Sequence, residues 1–161
     1  MENQDKFKIF LVDDNPVCIN LYKRFLSRIG YLNISSFTDS WAFLGAIDER
    51  PDLIFLDYHL DDRNGIDLLD TVKKRYPNTV IVFVSGQKDL MVAVNSLKHG
   101  AFDYIIKDDF TLEKMQLIVD RVLRTREEMA KQARPTEWQQ LVAATGVFSM
   151  IFFFQKIFSR I

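Results

Sequence analysis

Short runs of apolar residues alternate along the chain with longer segments in which apolar residues recur every three or four positions. Five of the runs are predicted to be strands, at residues 8–14, 33–37, 53–57, 80–85 and 103–107. Helical periodicity lies between them, and a longer helical pattern runs from Thr111 to Arg134. Strands that alternate with helices, at spacings too long for hairpins, are typical of parallel sheets with right-handed crossovers. The pattern therefore predicts an α/β fold, a doubly wound five-stranded parallel sheet with helices on both faces.

Local signals locate the ends of the helices and the faces that they bury. Pro16 suits the first turn of the first helix, and Gly30 ends it. The predicted buried face of that helix carries Val17, Leu21, Phe25 and Ile29. Thr38 or Asp39 is expected to cap the second helix. Apolar residues of the second, third and fourth helices are Trp41, Phe43, Leu44 and Ile47, then Ile66, Leu68, Leu69 and Val72, then Met91, Val92, Val94 and Leu97.

Polar side chains stand where four of the five predicted strands end. They are Asp13 and Asp14 after the first strand, Asp57 after the third, Ser85 after the fourth and Lys107 after the fifth. The carboxyl ends of parallel strands meet at one edge of a sheet, where open α/β folds place their chemistry. We therefore expect three carboxylates, one hydroxyl and one amine to lie together at that edge.

This set of residues favours metal and phosphoryl chemistry. Clustered carboxylates repel one another, so such a cluster usually holds a cation or keeps one member protonated. Oxygen ligands without a converging His or Cys suit Mg²⁺, which tends to share a phosphate with one or two carboxylates. Ser85 and Lys107 supply a donor and a cation for phosphoryl oxygens. Asp57 is the predicted nucleophile, because an aspartate can form an acyl phosphate.

With these residues in place, the segment 7–125 resembles a bacterial two-component response-regulator receiver domain, similar to the single-domain chemotaxis regulator. The matching positions are Asp13-Asp14, Asp57, Gly65, Ser85-Gly86, Tyr104 and Lys107. The resemblance implies a flavodoxin-like receiver fold. It also implies that Asp57 accepts a phosphoryl group from a histidine kinase or a histidine phosphotransfer protein in a phosphorelay.

The resemblance also implies a role for each site residue. Mg²⁺ would be held by Asp14, Asp57 and the backbone carbonyl of His59, and Asp13 would help to position the metal. The remaining implied roles are pairing with the phosphoryl group for Lys107, a switch pair for Ser85 and Tyr104, and tuning of dephosphorylation for His59 and Gln87. The downstream protein partner would bind the face formed by the fourth helix, the fifth strand and the fifth helix.

Two positions depart from the family pattern. The proline that usually follows the lysine, often after a cis bond, is replaced by Asp108. A cis bond before a non-proline residue costs about 2.5 to 4 kcal/mol, so the conformation of the Lys107–Asp108 bond is left open. Asp61 replaces a second proline, four residues after Asp57, and is interpreted as part of a solvated turn. His99, at a helix end, is interpreted as a surface residue rather than a ligand.

Length and charge bound the remaining functions. The 161 residues, 48% of them apolar, fit one domain with an appendage. Residues 1–110 hold 13 basic and 17 acidic residues, a net charge of −4, and residues 111–161 hold 8 and 5, a net charge of +3. No basic stripe with interleaved aromatic residues is present, so direct nucleic-acid binding is not expected. Residues 1–6, a polar extension, lack the apolar core of a signal peptide, which predicts a cytoplasmic first domain.

The C-terminal segment differs in character from the rest. We predict a helical extension or linker at 126–136 and an apolar helix at 137–161, too short for a DNA-binding output domain. Residues 141–154 carry no charge and would rise about 21 Å as a helix, less than a hydrocarbon core of about 30 Å. Three interpretations stay open for 141–158: an anchor at the inner face of the membrane, spanning or interfacial; a dimerising helix; and a disordered end.

Two competing functions have discriminating features. A phosphatase of the haloacid-dehalogenase kind also uses a strand-end aspartate, Mg²⁺ and a lysine, but it needs a second acid two residues after the nucleophile, where this chain has His59. A receiver-like scaffold that is never phosphorylated would not need the acidic pair, Asp57 and Lys107. The sequence therefore favours a phosphoacceptor that is not an enzyme.

Overall fold

The computed structural model describes residues 6–60, 63–86, 88 and 90–133. Gln87, the Asp61-Asp62 pair and the predicted apolar helix at 137–161 lie outside these residues. The predictions made for them therefore stay predictions.

Five parallel strands form the central sheet. In chain order they are β1 (Ile9–Val12), β2 (Ile34–Phe37), β3 (Leu53–Leu56), β6 (Val80–Ser85) and β7 (Asp103–Ile106). Their order across the sheet is β2-β1-β3-β6-β7, with every neighbouring pair parallel. This arrangement confirms the predicted doubly wound five-stranded sheet. Two short strands, β4 (His59–Leu60) and β5 (Arg63–Asn64), form a separate antiparallel hairpin after β3, which the apolar pattern did not predict.

Five helices connect and flank the strands. They are α1 (Pro16–Arg28), α2 (Ser40–Ala46), α3 (Gly65–Arg75), α4 (Leu90–Lys98) and α5 (Thr111–Ala133), with a 3-10 turn at Ile47–Glu49. Side-chain oxygens of Asn15, Asp39 and Asn64 cap the first three helices. The cap of the second helix is therefore Asp39, one of the two expected residues. The chain divides into two compact units at Asp120, within α5, and no helix among the described residues is long and apolar enough to cross a membrane.

The core lies on both faces of the sheet. All four residues of β1 and all four of β3 are buried, as expected for central parallel strands covered by helices on each side. The third helix buries its predicted face, Ile66, Leu68, Leu69 and Val72. The carboxyl ends of β1 and β3 are therefore held in a rigid frame, on which the polar residues that follow them are mounted.

The predicted buried face of α1 is wrong. Val17 is 72% exposed and Leu21 is 51% exposed, whereas the buried residues of this helix are Ile19, Tyr22 and Leu26. Both sets recur at helical spacing, so periodicity alone does not distinguish them. Packing against the sheet buries the stripe with Tyr22 and Leu26 and leaves the other stripe facing a groove of about 580 Å³ that Leu112 also lines.

Apolar residues of α2 and α4 that were predicted from helical periodicity are also exposed. Trp41 of α2 is 70% exposed, and the guanidinium of Arg63 lies 4.7 Å from its ring centroid. This cation–π contact joins α2 to β5. The only buried residue of α4 is Ser96, and the apolar residues that this helix exposes are Leu90, Met91, Val94 and Leu97.

Gly65, at the start of α3, is expected to tolerate no side chain. A Cβ there would lie 2.6 Å from the buried ring of Phe83 and 3.0 Å from the carbonyl oxygen of Tyr58. Overpacking of this kind costs about 1 to 3 kcal/mol, so Gly65→Ala should lower the free energy of unfolding by that amount in urea denaturation. The control is Gly45→Ala in α2, where a Cβ meets no atom within 4 Å; equal losses in both variants would contradict the steric explanation.

Candidate functional site

Three carboxylates meet at the carboxyl edge of the sheet. Asp13 and Asp57 directly follow β1 and β3, whose last residues are register partners, and the Asp57 N–H donates to the carbonyl of Val12 at 2.7 Å. The carboxylate oxygens of Asp13, Asp14 and Asp57 come within 4.8 Å of one another. Asp13 and Asp57 are buried and Asp14 is half-buried. The predicted acidic cluster is thus assembled by the pairing of two neighbouring strands.

Lys107 bridges two of these carboxylates. Its Nζ lies 2.8 Å from Asp13 Oδ2 and 2.5 Å from Asp57 Oδ2. Its backbone N–H donates to the carbonyl of Ser85 at 2.7 Å, so the end of β7 is attached to the end of β6. Lys107, which follows the edge strand β7, therefore contacts the acids that follow the central strands β1 and β3. The sequence predicted that these residues meet at one edge of the sheet.

The other carboxylate oxygens accept backbone hydrogen bonds. Asp13 Oδ1 accepts from the N–H of Asn15 at 2.9 Å, and Asp57 Oδ1 accepts from the N–H of His59 at 3.2 Å. In each of these two acids, one carboxylate oxygen accepts a backbone hydrogen bond and the other accepts from the Lys107 ammonium. This division fixes the orientation of both carboxylates before any ligand arrives.

The charges in the site influence one another. Burial raises the pKa of the Asp13 carboxyl, and the hydrogen bonds from Lys107 and the Asn15 N–H offset only part of this effect. Burial by itself would lower the pKa of the Lys107 ammonium, but its hydrogen bonds and attraction to Asp13 and Asp57 outweigh burial and raise the pKa. Lys107 therefore stays protonated at neutral pH and balances one of the negative charges.

The donor set fits a hard divalent cation. Asp13, Asp14 and Asp57 offer only oxygen atoms, close enough to share one ion, and Mg²⁺ is bound through one or two carboxylates with water and phosphate oxygens completing its shell. The ammonium of Lys107 shares two of the same carboxylates. A bound cation and Lys107 would therefore repel each other within one acidic site.

Tyr104 lies beside an aromatic residue that the sequence analysis did not single out. Its half-buried ring is 6.3 Å from the ring of Tyr58 and 6.4 Å from the ring of Phe83, and Tyr58 and Phe83 are 5.4 Å apart between centroids. The one feature of the sequence that could have indicated a role for Tyr58 is its position directly after Asp57. The aromatic cluster connects the acidic site to β7.

Two of the remaining predicted site residues are described by the structure. Ser85 is buried at the end of β6, and His59 is exposed on the hairpin strand β4. Gln87 lies outside the described residues. No cis peptide bond occurs among the described residues, which answers the open question about the Lys107–Asp108 bond: it is trans.

The parallel sheet and its helices define a flavodoxin-like α/β domain. The buried acids after β1 and β3 and the lysine after β7 form an acidic site of a kind that can bind a cation. The profile of the response regulator receiver domain matches residues 9–120, which is more than half of the chain. The chain belongs to this family of two-component signalling domains, as the strand-end residues indicated.

Similar proteins include longer chains, of which this chain matches a part, and an isolated receiver domain. The nitrogen assimilation regulatory protein NtrX of Azorhizobium caulinodans is 30% identical over 148 residues, 89% of this chain and 32% of the relative. The transcriptional regulatory protein MalR of Bacillus subtilis is 29% identical over 85% of this chain and 61% of the relative. The solved receiver domain of NtrX from Brucella abortus is 34% identical, with a TM-score of 0.67, over 73% of this chain and 99% of that domain.

The chain thus spans about a third of the NtrX relative and less than two thirds of the MalR relative. What it shares with them is the receiver domain of a two-component response regulator. Receiver domains are phosphoacceptors rather than classical enzymes, they bind Mg²⁺ through acidic residues, and they interact with histidine kinases or phosphotransfer proteins. The expectation of a chain without DNA-binding output stays a prediction.

Proposed function

We propose that Asp57 accepts a phosphoryl group from a phosphohistidine of a histidine kinase or a histidine phosphotransfer protein. The observation that carries this proposal is the ammonium of Lys107 between Asp13 and Asp57, next to a third carboxylate. A carboxylate alone repels a phosphoryl donor, whereas this arrangement brings a fixed positive charge to the atom that is to be phosphorylated. A cytoplasmic location is proposed together with this function, with the C-terminal segment as a candidate contact at the inner face of the membrane.

The transfer forms one bond and breaks another. An oxygen of the Asp57 carboxylate attacks phosphorus, a P–O bond forms, and the P–N bond to the donor histidine breaks with its electron pair returning to the imidazole. The product is an acyl phosphate on Asp57. Lys107 neutralises charge on the phosphoryl oxygens, and Ser85, buried at the end of the neighbouring strand, supplies a hydrogen-bond donor.

Asp13, Asp14 and Asp57 are the side chains proposed to hold Mg²⁺, together with the backbone carbonyl of His59. When bound, the ion supplies charge neutralisation for the phosphoryl oxygens. The bond from the His59 N–H to Asp57 Oδ1 supports this assignment, because it keeps the backbone after β3 close to the carboxylate. Asp13 is held by Asn15 and Lys107, which suits a positioning role.

Phosphorylation is proposed to act on Ser85 and Tyr104. A phosphoryl group that draws the Ser85 hydroxyl inward would change the space into which the Tyr104 ring turns. The contacts of Tyr104 with Tyr58 and Phe83 support a change that reaches β7. The partner is proposed to bind the face of α4, β7 and α5. An apolar surface of this kind favours a protein contact, and α4 exposes Leu90, Met91, Val94 and Leu97.

The proposal is tested by intact-protein mass spectrometry of the full chain after incubation with acetyl phosphate and Mg²⁺. One phosphoryl group per chain is expected, located at residue 57 by borohydride reduction of the acyl phosphate and peptide mapping. Omission of Mg²⁺ should slow the uptake strongly. A chain that gains no phosphoryl group from acetyl phosphate or from a phosphorylated donor protein would be a scaffold instead, and repeated turnover of a phosphomonoester would restore the phosphatase alternative.

His59 and Gln87 are proposed to set the lifetime of the acyl phosphate. His59 is exposed two residues after Asp57, and its N–H is bonded to Asp57 Oδ1, which supports a role for its side chain in the access of water to the acyl phosphate. The double variant His59→Ala, Gln87→Ala should lose its phosphoryl group roughly tenfold faster, which corresponds to a barrier lowered by about 1.4 kcal/mol. The measurement is the decay of phosphorylated protein after donor removal, with His99→Ala as control; an unchanged decay rate would refute the assignment.

The contact made by residues 141–158 stays a prediction, whether with a membrane or with a second copy of the chain. These residues lie outside the described part of the chain. Residues 141–154 of this segment carry no charge, which supports an apolar partner of either kind.

A further inference from the structure

Asp108, which replaces the usual proline after Lys107, is hydrogen-bonded at every polar atom. Its Oδ1 accepts from the N–H of Phe110 at 2.9 Å, and its Oδ2 lies 2.6 Å from Lys114 Nζ. Its N–H donates to Thr111 Oγ1 at 2.8 Å, and its carbonyl accepts from the Thr111 hydroxyl at 2.7 Å and from the Thr111 N–H at 3.1 Å. Asp108 thus closes a compact turn that leads into α5.

The turn holds the backbone of Lys107 from its C-terminal side. On the N-terminal side, the Lys107 N–H is bonded to the carbonyl of Ser85. Lys107 therefore lies between two fixed points, the end of β6 and the first turn of α5. Its ammonium must meet two carboxylates at once, at 2.8 Å from Asp13 and 2.5 Å from Asp57, so a small shift of its backbone moves it out of reach of one of them.

A proline at this position would lack the N–H that Asp108 donates to Thr111. Thr111 is buried, and a buried hydroxyl needs its partners. This turn needs a residue at position 108 with a backbone N–H, which bonds to Thr111, and with a side-chain oxygen, which accepts from the Phe110 N–H. Proline has neither group. Asp108 uses both groups here, its N–H on Thr111 Oγ1 and its Oδ1 on the Phe110 N–H.

We propose that Asp108 is a positioning residue that holds Lys107 over Asp57 through its turn with Phe110 and Thr111. This role rests on the proposed function, in which the Lys107 ammonium neutralises the phosphoryl oxygens. The hydrogen bonds of Asp108 go to Phe110, Thr111 and Lys114, so it acts through Lys107 rather than on Asp57 directly.

The side-chain acceptor matters more than the charge. The Asp108 and Lys114 side chains are 36% and 40% exposed, and exposed ion pairs of this kind contribute little. The bond from Oδ1 to the Phe110 N–H fixes the backbone directly. Asp108→Asn retains that oxygen and loses only the ion pair, whereas Asp108→Ala loses both, so the two variants separate the contributions.

The first measurement is the rate of phosphoryl uptake by the full chain from acetyl phosphate at saturating Mg²⁺. Asp108→Ala should be slowed about tenfold, since misplacement of a positioned group by about 1 Å can cost up to a hundredfold. Asp108→Asn should stay within about twofold of wild type, as should the control Asp109→Ala, which removes the same charge from the adjacent exposed position. The Mg²⁺ affinity, measured by titration calorimetry, should not fall in any variant.

The second measurement does not depend on phosphorylation. The rate of acetylation of Lys107 by acetic anhydride is followed by mass spectrometry, with the exposed Lys98 as an internal reference. Asp108→Ala should increase labelling of Lys107 severalfold over Lys98, and Asp108→Asn should not. Unchanged labelling in Asp108→Ala, or an equal increase in Asp109→Ala, would overturn the proposal. A wild-type chain that takes up no phosphoryl group would instead refute the proposed function, whatever the labelling shows.

Discussion

The variant Asp57→Asn is expected to take up no detectable phosphoryl group from acetyl phosphate under conditions that phosphorylate the wild-type chain. An amide oxygen is a poor nucleophile, so the reaction loses its attacking atom rather than a supporting contact. Asn retains the size of the side chain and an oxygen that can accept from the His59 N–H, as Asp57 Oδ1 does. The fold should therefore be preserved, and the effect should be confined to the chemistry.

The measurement is intact mass and peptide mapping over a time course, with thermal unfolding recorded for each variant. The thermal midpoint of Asp57→Asn should stay close to that of wild type, because the relief of repulsion among three carboxylates is offset by the loss of the ion pair with Lys107. Asp67→Asn makes the same exchange at an exposed position in the first turn of α3 and should be phosphorylated normally. Full uptake by Asp57→Asn, with the phosphoryl group mapped to Asp13 or elsewhere, would show that Asp57 is not the acceptor.

Lys107→Met is expected to separate phosphoryl transfer from metal binding by moving them in opposite directions. Loss of one positioned electrophilic donor typically costs about a hundred- to a thousandfold in rate, and uptake from acetyl phosphate should fall by that order. Met retains much of the length of the side chain, so the packing around it changes little. The bridge between Asp13 and Asp57 is lost together with its positive charge.

The same variant should bind Mg²⁺ more tightly. Two unit charges 4 Å apart interact by about 4 kcal/mol at an effective dielectric constant of about 20, and about 1.4 kcal/mol corresponds to a tenfold change in affinity. Removal of a cation from shared carboxylates should therefore raise the Mg²⁺ affinity at least about tenfold, measured by titration calorimetry. Lys98→Met, at the exposed end of α4, is the control. Weaker Mg²⁺ binding by Lys107→Met would contradict the arrangement in which lysine and metal share one acidic site.

The strand ends were predictable because the signals are local. A run of apolar residues that stops at a carboxylate, as at Leu56 and Asp57, specifies a buried strand and the polar residue after it. Parallel pairing then places equivalent ends at the same edge, so Asp13, Asp57 and Lys107 were expected together before any distance was known. The family resemblance rested on the same positions, and the profile match over residues 9–120 agrees with it.

The buried face of α1 was not predictable in the same way. Val17 and Leu21 recur at the same helical spacing as Tyr22 and Leu26, and each stripe alone is a plausible core face. The choice depends on how the helix lies against the sheet, which is a property of the connections on either side. Burial of Tyr22 and Leu26 and exposure of Val17 are therefore findings of the tertiary structure.

The conformation after Lys107 depends on hydrogen bonds that a pattern of apolar and polar residues does not predict. A local rule states only that a cis bond before Asp108 is costly. The structure adds the reason for a stable trans turn, the bonds of Asp108 to Phe110 and Thr111 and its ion pair with Lys114. Likewise, the sequence shows only that Tyr58 follows Asp57, whereas the structure shows that its ring packs near the ring of Tyr104.

The sequence by itself determined the class of fold, the edge of the sheet that carries the chemistry, and the residue types gathered there, because these follow from hydrophobic periodicity and from the geometry of parallel strands. Only the tertiary structure decided which face of α1 is buried, how the oxygens of Asp13 and Asp57 are divided between the backbone and Lys107, and how Asp108 holds the loop. Those features depend on contacts at hydrogen-bond distance between residues far apart in the chain, such as the 2.8 Å contact of Lys107 with Asp13, which no local pattern encodes.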